Sequence, residues 1–230
     1  MTHCAPDVAM RWRRSGTKRI TWRHLLLAFT GILPLLFFAA SLQAGSIEGP
    51  SRGAAIVINE DPSNPLGQRY EGSVVWRIVR TKAAGQPDEL VIHADVEIPE
   101  MKMKMEMDVS RNTDTQLSAS HVVEMTFVVP QDVAGGEVFS VPGLMLKFSE
   151  QARGVPLAAL AVKVSKGSFL VGLSNVEADR QLNLQLLKER RWFDIPMIYA
   201  DQHRGILAIE KGFHGEDVFH EAMADWERPR

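Results

Sequence analysis

Along residues 90–109 apolar and polar positions alternate with a period of two, broken once at Pro99-Glu100. Successive side chains of an extended chain point to opposite faces, so this pattern predicts two β-strands, each with one dry and one wet face. In the second, Met101-Lys102-Met103-Lys104-Met105-Glu106-Met107, the alternation is strict. If Ile98-Pro99-Glu100-Met101 is the connection, Glu97 faces Lys102, Asp95 faces Lys104 and His93 faces Glu106. The other face then stacks Ile98, Val96, Ala94 and Ile92 on Met101, Met103, Met105 and Met107. Charge pairs on one side and apolar pairs on the other predict an antiparallel hairpin. Pro99 cannot take the positive φ of a tight primed turn, so the connection should be wider than two residues.

Other alternating runs predict strands over residues 54–58, 70–80 and 121–129, with the last closed by Pro130. Between the first two, Asn59-Glu60-Asp61-Pro62-Ser63-Asn64-Pro65-Leu66-Gly67 is dense in turn formers and predicts a loop. Ala83-Ala84-Gly85-Gln86-Pro87 predicts a turn, residues 111–118 a polar loop, and 138–148 a mixed segment with strand around Pro142-Gly143. Residues 157–164 and 168–173 flank the hairpin signal Ser165-Lys166-Gly167. Then the period lengthens. Val176, Leu182, Leu186 and Leu187 predict an amphipathic helix within 175–190, with Ser174 or Asn175 as N-cap and Glu177 and Asp179 in its first turn. A second hairpin is expected from 195–200 and 205–210, and a terminal helix from Val218, Phe219, Ala222, Met223 and Trp226. The expected class is therefore mainly β: an antiparallel, sandwich-like domain with two helices near the C-terminus, α+β at that end.

Ahead of this domain the pattern is different. Residues 25–42 are continuously apolar or small, and six basic residues, Arg11 to Arg23, precede them. Positive charge before an apolar run is the mark of an export segment and places the N-terminus in the cytoplasm. The run lies at the lower edge of the roughly 20 residues a spanning helix needs, and Leu42-Gln43-Ala44 and Ala39-Ala40-Ser41 are candidate cleavage sites. The expected organisation is a basic cytoplasmic leader at 1–24, a signal-anchor or signal peptide at 25–44, a spacer at 45–53 and one extracytoplasmic β-rich domain at 54–230. The cytoplasmic membrane is the expected partner of residues 25–42, with the domain in the periplasm; cleavage would instead leave the domain soluble there.

The formal charge of −2 hides an asymmetry. Removing the six basic residues and Asp7 of positions 1–44 leaves 20 basic and 27 acidic residues, a formal charge of −7 for the domain. So acidic a domain, with no basic cluster in its sequence, repels phosphate backbones, which argues against nucleic acid as a partner. Cys4 is the only cysteine, so the domain has no thiol for a disulfide, a thiolate metal site or a nucleophile.

Candidate chemistry is sparse. Methionine thioethers suit Cu(I), which makes Met101, Met103, Met105 and Met107 a candidate metal row in an exported domain. Same-face residues stand about 6.5–7 Å apart along a strand, their expected partners offer no ligand, and Met is an ordinary core filler. A core role is preferred, and no cofactor is assigned. Among the histidines, His93 is expected opposite Glu106, His121 and His203 are isolated, and His214 and His220 lie on different helix faces; no HExxH spacing occurs. No nucleophile elbow is present, since Gly172-Leu173-Ser174-Asn175 breaks it, and no phosphate-binding or dinucleotide loop is found. No catalytic residue is assigned. Arg190, Arg191, Trp192 and Asp194 form the best interaction candidate, because Arg and Trp dominate binding hot spots. At a helix C-terminus Arg also satisfies the dipole, and Trp is common in cores, so a structural role is the alternative.

Asn59-Glu60-Asp61-Pro62, Gly72-Ser73-Val74-Val75-Trp76-Arg77, Asn112-Thr113-Asp114, Gln185 to Arg190 with Trp192-Phe193-Asp194-Ile195-Pro196, and Ala208-Ile209-Glu210-Lys211-Gly212 resemble an uncharacterised family of exported or membrane-anchored alphaproteobacterial proteins. The resemblance implies export and carries no activity. The terminal order of strand, helix, hairpin and helix is also similar to the invasion-associated locus B proteins, whose paired cysteines are absent here. The function expected is a non-enzymatic binding or accessory module at the periplasmic face of the cytoplasmic membrane, its protein partner open. The alternatives are an enzyme or small-ligand binder with a site assembled in space, and copper handling through the Met row.

Overall fold

The computed structural model describes residues 51–81, 88–130 and 135–228. The expected leader at 1–44 and the turn at 83–87 lie outside the described residues, and no described helix is long and apolar enough to cross a membrane. In chain order the described elements are β1 (Gly53–Asp61), β2 (Asn64–Thr81), β3 (Glu89–Ile98), β4 (Met103–Arg111), β5 (His121–Val128), β6 (Val138–Ser140), β7 (Met145–Lys147), β8 (Val155–Pro156), β9 (Ala159–Ser165), β10 (Ser168–Leu173), α1 (Glu177–Glu189), β11 (Trp192–Tyr199), β12 (Arg204–Glu210) and α2 (Gly212–Trp226). Among the described residues the chain is mainly β and antiparallel, with two helices late.

The strands form one curled sheet in the order β8-β7-β11-β12-β1-β2-β3-β4-β5-β10-β9, with β6 also paired to β11. Its two terminal strands, β8 and β9, are separated in sequence only by Leu157 and Ala158. The sheet must therefore curl until its ends meet. Trp76 on β2 and Phe193 on β11 stand three strands apart in that order, yet their rings lie 5.8 Å apart across the interior. At the closure Glu137 holds Lys166 at 2.9 Å and Lys163 at 3.8 Å, and Lys163 Nζ sits 4.7 Å from the Phe139 ring of β6.

The β3–β4 hairpin forms, but its register differs from the expected one by two residues. Ile98 faces Met103, Val96 faces Met105, Ala94 faces Met107 and Ile92 faces Val109. The cause is the turn: Pro99 to Lys102 make the connection, with the Lys102 N–H donating to the Pro99 carbonyl at 3.0 Å and Lys102 at φ +48. A slip of two leaves every side chain on its own face, so the apolar stack survives while the charge pairs change. Glu97 now meets Lys104 at 3.5 Å, and His93 faces Asp108, not Glu106. Asp95 is set opposite Glu106. Arg77 and the His93 ring, whose Nε2 lies 3.2 Å from Asp95, offset that repulsion.

Two further expectations are corrected. Residues 59–67 are not a loop: β1 and β2 run through them and turn at Pro62-Ser63, where Asp61 accepts from the Ser63 N–H (2.8 Å) and hydroxyl (2.6 Å). In α1 the helix starts at Glu177, and Val176, not Ser174 or Asn175, is the N-cap residue. Ser174 instead accepts from the Val176 N–H and donates to Asp179 at 2.8 Å. Leu182 and Val176 face outward, while Asn183 is buried because its amide both donates to and accepts from the Ala158 backbone at 2.9 Å.

Helix α2 packs on β1, β2 and β3 through Phe219, which contacts both Trp76 and Phe193. Trp76 donates to the Glu210 carbonyl (2.8 Å) and Trp226 to that of Leu90 (2.9 Å), so both indoles satisfy their polar atom inside the core. Gly215 makes this approach feasible, since a side chain there would meet the Trp76 ring at 2.8 Å.

Because Met105 is fully packed, truncating it should leave a cavity. Met105→Ala is expected to cost about 2–5 kcal/mol in urea unfolding, and Lys104→Ala well under about 1 kcal/mol. Equal, small effects would show that the Met row does not line a packed interior.

Candidate functional site

The structure distributes the sequence-predicted residues between core and cover. Met101, Met103, Met105 and Met107 are 0–4% exposed, and beyond their β3 partners Met105 faces Phe127 and Met107 faces Met125 of β5. Arg190 ends α1 with its guanidinium 3.4 Å above the Phe148 ring, and Arg191 pairs with Glu216 at 2.9 Å. Trp192 and Asp194 are buried on the outer face of β11. Asp194 lies 2.6 Å from Lys147, and burial nevertheless holds its carboxyl above the usual range. His93 bridges Asp108 and Asp95, and His203 bonds Asp201 at 2.6 Å. Among the described residues no group of three or more His, Cys, Asp or Glu side chains is placed to hold a metal ion.

On the outside of the sheet the register lays out two neighbouring rows across β11, β12, β1 and β2. One runs Asp194, Ala208, Ile56, Glu71; the next runs Pro196, Ile206, Ile58, Arg69. In the first row Asp194, Ala208 and Ile56 are buried. Gly154 lies against Met145 and Asp194, and Glu150 reaches Arg69, at the end of the neighbouring row, at 2.5 Å; Ile56, Trp192 and Ala208 pack on one another as a small buried cluster with Ala54 against it. The second row is open. With Met145, Pro65 and Leu66 it floors a groove of about 570 Å³, rimmed by Glu60 and Arg204. Leu66 is 86% exposed, and Ile206 and Ile58 are 38% and 37% exposed.

A second concavity, about 360 Å³, opens at one mouth of the curl between the ends of β4 and β5 and the two helices. The inward face that carries Met103, Met105, Met107 and Val109 continues to Arg111, which stands directly opposite His121. His121 is 5% exposed, and neither ring nitrogen has a protein hydrogen-bond partner. Burial, then the charges of Arg111 and Arg180, push its pKa down to about 4. Nothing in the sequence marked His121 as more than an isolated residue. Extending the Met-row alternation two steps would have put Arg111 inside.

Lys211 is also buried. Its Nζ donates to the Leu187 carbonyl and sits 3.9 Å above the Phe219 ring. Burial pushes its pKa down to about 7, with Glu216 opposing the shift. Comparison of the chain with protein-family models, with curated proteins and with solved structures finds no match.

The unfolded chain holds the Lys211 proton up to about pH 10.4, whereas the folded chain releases it near 7. In that window the unfolded state binds more protons, so folding stability rises with pH and is lowest at and below the folded value. Urea midpoints of the wild type relative to Lys211→Met should therefore increase between pH 7 and about 9.5. A difference that stays flat with pH would show that the amine is not buried.

Proposed function

We propose that this chain is a non-enzymatic binding module, held at the periplasmic face of the cytoplasmic membrane by residues 25–42, whose outer groove takes an extended apolar segment of a protein partner. The observation that carries the reading is the pair of outer rows. In one row Ile56 and Ala208 are buried in a cluster with Trp192, while in the adjacent row Pro196, Ile206 and Ile58 line an open apolar groove. Contiguous exposed apolar surface of this kind marks interaction sites, and an extended segment laid along the groove would bury it. Glu60 and Arg204 at the rim supply polar ends for such a segment, as a polar rim does around an interface core. The basic flank and apolar run of the leader support the tether, as does the resemblance to exported or anchored proteins. The Met row serves the core and does not enter this reading.

Ile206 and Leu66 are exposed, so Ile206→Asp and Leu66→Asp should change folding stability by under about 1 kcal/mol. Photo-cross-linking from a probe at Ile58 in the membrane-tethered chain should capture one reproducible partner, lost in both variants. Cross-links that are scattered, or identical with and without the aspartates, would contradict the reading.

A further inference from the structure

We propose that the cleft at the mouth of the curled sheet binds a small organic anion, its oxyanion head on Arg111 and Arg180 and its apolar body against Leu184, Met223 and Trp226. These residues line one concavity of about 360 Å³, at the small end of the range for ligand sites. Four separate elements converge there: Arg111 from β4, His121 from β5, Arg180 and Leu184 from α1, and Met223 and Trp226 from α2.

His121 is the observation that points to a ligand. A neutral imidazole carries one donor and one acceptor, and buried polar atoms are nearly always hydrogen-bonded. The His121 ring is held against the Trp226 ring at 5.1 Å and lines the cleft, yet meets no protein partner at either nitrogen. A bound molecule with its own polar atoms would satisfy it.

The charge around it selects the sign. Two guanidiniums, Arg111 and Arg180, line the cleft with His121, and both disfavour a protonated imidazole there. Arg111 spends its Nε on Glu89 (3.1 Å) and its Nη1 on the Trp226 carbonyl (3.2 Å); Arg180 spends its Nε and Nη2 on Glu177. Each guanidinium has five N–H groups, so each keeps donors beyond these bonds. Glu227 also lines the cleft, and it opposes the assignment together with Glu89 and Glu177, the carboxylates already paired to the two arginines. The walls decide between an inorganic and an organic anion: Leu184, Met223 and Trp226 offer apolar surface that phosphate cannot use and a carboxylate with a hydrocarbon body can.

The test is NMR of the His121 ring in the full chain in nanodiscs, titrated separately with benzoate, hexanoate and inorganic phosphate. Benzoate or hexanoate should move the His121 signals saturably. Arg180→Gln, in the first turn of α1 where the side chain is 41% exposed, should weaken that binding about tenfold, as expected for loss of a charged hydrogen bond. Arg111→Gln should do the same. His121 signals that none of the three probes moves, or a benzoate response unchanged in Arg180→Gln, would overturn the proposal. A response to phosphate alone would overturn it too, by removing the role of the apolar wall.

Discussion

One constraint shapes the described residues: a single long antiparallel sheet carries a large apolar face, and the two helices among them, of 13 and 15 residues, are too little to cover it. Apolar burial is the dominant favourable contribution to folding, so the sheet covers itself. It curls until β9 comes beside β6 and until side chains on β2 and β11 touch across the interior. The helices then fill what remains, with α2 presenting Phe219 to Trp76 and Phe193. The Met row belongs to this logic. Unbranched, polarizable side chains fill the irregular interior of a strongly bent sheet where a branched residue would meet a fixed shape.

How far the sequence disclosed this depends on which feature carried the information. Alternation along 90–109 revealed both faces correctly, because face depends only on parity. The register did not follow, because it depends on turn width, and the Pro99 to Lys102 turn shifted the pairing by two while leaving parity intact. Turn formers at 59–67 overstated a loop: only Pro62 and Ser63 were needed to reverse the chain, and Asn59 and Gln68 pair as strand residues. In α1 Asn183 took an inward position through two backbone hydrogen bonds to Ala158, a long-range pairing with no local signature.

The two concavities were less legible still. The outer groove lies where Pro196, Ile206 and Ile58 from three strands stand side by side with Pro65 and Leu66, an alignment set by register and not visible in local composition. Trp192 and Asp194 stood out in the sequence, and both are buried, Trp192 against Ile56 and Ala208 and Asp194 paired to Lys147. The inner cleft joins residues from positions 111 to 227, and its most telling member, His121, has no chemical neighbour in sequence. What connects them is again parity: Arg111 and His121 are the inward-facing ends of β4 and β5, placed where the apolar interior gives way to the helices.

Closure of the sheet is the claim on which the shared interior, the outer rows and the inner cleft all rest, and it can be measured by zero-length carbodiimide coupling followed by mass spectrometry. Glu137, anchored beside β11 through the Ala200 N–H, lies 2.9 Å from Lys166 and 3.8 Å from Lys163, while Glu97 and Lys104 at 3.5 Å within the β3–β4 hairpin serve as a reference pair. A closed sheet gives coupled peptides joining Glu137 to Lys163 or Lys166 alongside the Glu97–Lys104 product. Recovery of the hairpin product with no coupling at Glu137 would show an open sheet and contradict closure.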